Sequence, residues 1–119
     1  MANPNIAALT TINGNTQVQS VTTSAASIAN NPSSSGKILK INSLIISNIH
    51  ATTAADITVD LFRSATAYKL VSTISVAADT SFTAIDKTLS IYLLEGDSLR
   101  LTAGTNSILQ AVCSFEEIS

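Results

Sequence analysis

The chain has no tryptophan, one cysteine, two prolines and four glycines in 119 residues. A single cysteine excludes an intramolecular disulfide, so stability comes from packing or from association. Charge is scarce as well: Asp, Glu, Lys and Arg make up 12% of the residues, about half the usual share. The net charge of −2 gives no electrostatic footprint for nucleic acid and no polybasic patch for anionic lipid. Aromatics are 4% of the chain, too few for the stacking platforms that sugar grooves and single-strand binders usually carry. No run approaches the ~20 apolar residues of a membrane helix. The N-terminal residues MANPNIAALTT lack the basic start of a signal peptide, so synthesis in a cytoplasm without a cleaved signal is expected. Catalytic and cofactor signatures are missing too: no GxGxxG, phosphate loop, HExxH, GxSxG or CxxC. No enzymatic activity, cofactor or metal is therefore expected.

What the chain does have is small polar and aliphatic residues in alternation. Hydrophobic residues reach 45%, and Ser plus Thr are roughly a quarter. Such a composition suits an all-β protein whose faces meet neighbours, and equally an ordinary small β domain. The densest stretch is 37–48, KILKINSLIISN, preceded by the turn signal Pro32-Ser33-Ser34-Ser35-Gly36. Leu39, Ile41 and Ile45 share one face at period two, and Ile38, Leu44 and Ile46 the other. Apolar residues on both faces predict a central strand covered on both sides.

The rest of the chain reads as its neighbours. Residues 56–63 alternate with Ile57, Val59 and Leu61 inward and Asp56, Thr58 and Asp60 outward. Residues 68–76 place Tyr68, Leu70, Ile74 and Val76 inward. A short strand at 81–86 follows, then one at 87–94 with Leu89, Ile91 and Leu93 aligned. Glu95-Gly96-Asp97 is a tight turn, with Gly96 supplying positive φ and Asp97 bonding local backbone. Residues 98–103 and 109–115 are the last strands, with Gly104-Thr105-Asn106 closing a hairpin between them. Seven or eight short strands at this spacing predict an antiparallel β-sandwich, jelly-roll or immunoglobulin-like.

Residues 1–36 contain no ionisable side chain. They read as an extended N-terminal arm with one or two strands, near 16–23 and 25–30, and a hairpin turn at Asn13-Gly14-Asn15. Residues 37–119 form the sandwich body, expected to fold without the arm. An uncharged arm loses little on desolvation when it lies along another protein. Ile6, Leu9, Ile12, Val18 and Val21 are accordingly the candidate contacts to a sister chain or other subunit. The candidate chemistry elsewhere is thin. Cys113 sits in an alternating strand and reads as an inert core thiol, with His50 the lone possible partner. His50 alone is no metal site, because zinc needs three or four protein ligands. Asp56 and Asp60 read as a solvated strand face.

Two stretches carry a resemblance. GKILKINSLIISNIHATTAADITVDLF and YLLEGDSLRLTAGTNSILQAVCSFEEIS resemble small virion proteins of tailed phages, notably phages of cyanobacteria and other aquatic bacteria. YKLVSTISVAADTSF between them fits the same scheme, and the similarity covers roughly residues 37–119. The resemblance implies a non-enzymatic β-sandwich component of the particle, commonly a capsid decoration or cement protein. It would sit on the capsid surface, be made in the host cytoplasm, and have the major capsid protein as partner. A homo-oligomer is the general expectation, and a trimer suits threefold positions of an icosahedral shell. The alternatives are a neck, tail or fibre component or host-surface adhesin, and a small sugar- or peptide-binding sandwich module. No residue role transfers, because the shared motifs are strand and turn positions.

Overall fold

The computed structural model describes residues 7–8 and 11–119. Ile6 and Leu9, two of the expected contact residues, lie outside the described residues. The strands are β1 (Ile12–Ser20), β2 (Ala26–Asn30), β3 (Ile38–Asn48), β4 (Ala55–Arg63), β5 (Thr66–Val76), β6 (Ser81–Ile85), β7 (Ile91–Leu93), β8 (Ser98–Ala103) and β9 (Leu109–Ile118). One sheet has the order β1-β9-β3-β6, with β7 also on β3; the other is β2-β8-β4-β5. Every pairing is antiparallel.

The pairings nest around one tight hairpin. β4 turns into β5 through Ser64 and Ala65, both at positive φ, as a two-residue primed turn demands. Outside that hairpin β3 pairs with β6 and β7, then β2 with β8, then β1 with β9. This wrapped order is that of a jelly roll rather than an immunoglobulin sandwich. It also corrects the expected hairpin at Gly104-Thr105-Asn106, because β8 and β9 belong to different sheets and the loop crosses between them.

The core lies between the sheets. Leu39, Ile41, Leu44 and Ile46 of the first sheet meet Ile57, Val59, Leu99 and Leu101 of the second. Beyond Ile38, β3 buries one face only. Its register with β9 slips between Ile41 and Ser43, so Asn42 is the extra residue of a bulge. The bulge reverses the strand's parity: Leu39 and Ile41 face inward before it, Leu44 and Ile46 after it. Ile45 is left on the outer face.

Three other expectations change. Asn13-Gly14-Asn15 forms no turn; it runs straight within β1, held by β9 over nine consecutive register pairs. Residues 87–89 make a 3-10 turn, not a strand, because the Asp86 carboxylate caps it by accepting from the Thr88 N–H at 2.9 Å. Leu89 is thereby exposed. On β5 only Val76 is buried, while Tyr68, Leu70 and Ile74 stay exposed, since β5 is an outer strand with a partner on one side alone.

The boundary at residue 36 is not a structural one. β1 and β2 pair with β9 and β8, and Val21, Ile28 and Ala29 belong to the core cluster. Asn31, also buried, ties this part of the chain to the body. Its side-chain amide donates to the carbonyls of Lys37 and Leu93, at 2.9 and 3.0 Å. Asn48 does the same work among the loops beside His50, donating to the carbonyls of Thr53 and Val76 at 2.9 Å each. Its side-chain oxygen accepts from the His50 N–H. An Asn48→Ala variant leaves those buried backbone groups without partners and is expected to lose about 2 kcal/mol or more. Urea unfolding checks this; an unchanged midpoint contradicts the role given to Asn48.

Candidate assembly surface

The outer face of the first sheet is built by register. Val18 of β1 lies opposite Val112 of β9, and Val112 lies opposite Ile45 of β3. Their exposures are 73%, 41% and 37%. One step along the strands stand Thr16, Ser114 and Ser43; one step the other way stand Ser20, Gln110 and Ser47. None of these nine residues is charged. The bulge at Asn42 is what brings Ile45 outward and completes the apolar row. A contiguous uncharged patch with an apolar middle and a hydroxyl and amide rim has the make-up of a protein interface.

The second sheet treats its charges differently. Asp60 is buried on the outer side of β4, which corrects half of the expected solvated Asp56/Asp60 face; Asp56 is exposed as expected. Its carboxylate accepts from Arg100 Nε at 3.0 Å. The Arg100 guanidinium lies 4.0 Å from the Phe62 ring centroid. Asp97, also buried, receives both the Arg63 fork and the Leu94 N–H. That fork raises the Arg63 pKa further, the hydrogen bond to Asp97 being the main cause. Arg63 with Asp97 fixes the β7–β8 turn to the end of β4, and Arg100 with Asp60 ties β8 to β4; both pairs are ties within the fold. Gly96, at φ 89°, supplies the positive φ in the same turn.

Of the expected contact residues that are described, Ile12 and Val18 lie exposed on β1. Val21 is 1% exposed and packs in the core, so its side chain serves the fold. Sequence reasoning missed Ile45 and Val112, each of which looked like one member of an alternating strand. Cys113 is fully buried, and desolvation pushes its thiol up to about 12. His50 is exposed, and its Nδ1 accepts from the N–H groups of Thr52 and Thr53. Among the described residues no three His, Cys, Asp or Glu side chains gather to hold a metal.

No protein-family model matches this chain, and no curated protein matches it either. A solved structure does. A chain from Bacillus endospore appendages, described as disulfide-linked pili, superposes over 91% of this chain and 85% of its own length. The TM-score is 0.50 and the identity 20%. The shared feature is the fold.

Proposed function

We propose that the chain is a non-enzymatic structural subunit, used as a capsid decoration protein that clamps neighbouring major capsid subunits. The observation that carries this reading is the uncharged face centred on Val18, Val112 and Ile45. In a chain this poor in charge, an apolar row spanning three strands is where another protein's surface docks. The virion resemblance over residues 37–119 supports the capsid as that surface. The pilus protein with the same fold supports the broader reading of a subunit in an extracellular assembly. Any such assembly of this chain is held without a disulfide, because Cys113 is sealed in the core.

The fold shared with a pilus protein also favours a second reading, a filament-forming tail or fibre component. The two differ in closure. A decoration protein forms a closed oligomer, a trimer at threefold positions, whereas head-to-tail contacts that do not close give open polymers. Light scattering after size exclusion is expected to give three times the 12.3 kDa chain mass. A mass that grows with concentration supports the filament, and a monomer at high concentration removes self-association from the account.

A further inference from the structure

The structure assigns a second site to the outer face of the first sheet, beside the apolar row: we propose that it binds a short acidic saccharide. A concavity of about 700 Å³ opens where the β3 bulge meets β9, β1 and the 3-10 turn. That volume falls within the range of small-molecule sites, roughly 300–1,000 Å³. Its floor and walls are polar. Thr16, Ser43 and Ser114 bring hydroxyls, and Asn42 brings an amide. Groups that both donate and accept suit the vicinal hydroxyls of a sugar. They suit an apolar protein anchor poorly.

The charges at the rim select the ligand. Lys40 and Lys87 both line the concavity. The chain has six Lys and Arg residues. Lys37, Arg63 and Arg100 are held in ion pairs. Among the described residues, Lys40 and Lys87 have no carboxylate within ion-pair distance. The one carboxylate lining the site, Glu116, accepts from Asn42 Nδ2 at 3.2 Å. Two of the three lysines without an ion pair among the described residues thus converge on one polar hollow. Tyr92 lies opposite Lys40 in register and is exposed, adding an aromatic ring beside the hollow. The occupant these groups fit is a saccharide of two or three units bearing a carboxylate or a sulfate ester. A long polyanion is disfavoured by the overall charge. The hollow shares Thr16, Ser43 and Ser114 with the rim of the assembly face, so a docked subunit and the saccharide compete for these three residues.

The test is amide-resolved NMR titration of the full chain with four probes: trigalacturonate, its neutral methyl ester, a sulfated disaccharide and inorganic sulfate. Trigalacturonate or the sulfated sugar is expected to shift the amides of Thr16, Ser43 and Ser114, and whichever binds more tightly names the acid. The neutral ester should bind about tenfold more weakly, as should the acidic sugar to the Lys40→Gln/Lys87→Gln variant. High salt should weaken binding in the same direction. Gly14 also lines the hollow, and a Cβ built there meets nothing within 4 Å. Gly14→Leu should therefore fill the space and abolish binding while the circular dichroism spectrum is retained. Equal binding of the ester, no effect of the lysine changes, or no response to any sugar overturns the proposal. Sulfate alone reproducing the full response reduces the hollow to a simple anion site and overturns the saccharide.

Discussion

Val59→Asp is expected to cost on the order of 4 kcal/mol or more, enough to unfold much of the population at room temperature. Val59 is fully buried at the middle of β4, where β5 and β8 flank it on either side. A carboxylate there has no partner and must either ionise in an apolar core or stay protonated without a hydrogen bond. The neighbouring Thr58→Asp should cost under about 1.5 kcal/mol. Thr58 faces outward, opposite Thr102, and its hydroxyl oxygen accepts from the Thr73 N–H at 3.2 Å. An aspartate at that position can accept the same bond. Equilibrium denaturation of the two variants decides: equal losses, or the reverse order, would mean that the register of β4 is wrong.

Removal of residues 1–36 is expected to abolish folding, whereas removal of residues 1–20 should cost less. The longer deletion takes away the buried Val21, Ile28 and Ala29 and the Asn31 tie. Burial of one Val and one Ile alone contributes about 3–6 kcal/mol. It also uncovers two sheet edges at once, β9 and β8, since β1 and β2 cover them. Unpaired edges of that length invite aggregation. Deletion of residues 1–20 costs less because β1 supplies backbone pairing while its side chains are mostly exposed. Circular dichroism and sedimentation separate the two. A folded, monodisperse chain starting at residue 37 would show that the first two strands are dispensable.

The sequence carried the strands well and their neighbours poorly. Alternation at Ile57, Val59 and Leu61 marked β4 because side chains on a strand repeat at period two. The β3 bulge was hidden because two-sided apolarity has two causes, full burial and a change of parity. The signal was present: Asn42-Ser43 are two polar residues in succession inside an apolar-rich run. The partnership of Asp60 with Arg100 spans 40 residues and follows from strand order alone, so Asp60 looked solvated. Asn13-Gly14 is a strong turn signal locally, yet nine register pairs with β9 outweigh it. Leu70 and Ile74 had the pattern of inward residues, but an outer strand leaves that side open. The candidate surface was legible in part. Val18 stood out as apolar in an uncharged stretch, while Val112 and Ile45 join it through pairings that link the chain's two ends to its middle.

In the proposed assembly the uncharged outer face docks on another subunit. The direct measurement is co-sedimentation of the full chain, and of its Val112→Lys variant, with phage particles that lack the protein. Val112 is half exposed and points away from the core, so the variant should melt with the wild type. A charge placed at the centre of a desolvated interface should weaken binding at least about tenfold. The wild type is expected to pellet with the particles and the variant to stay in the supernatant. A variant that pellets like the wild type, or a wild type that never pellets, would contradict it.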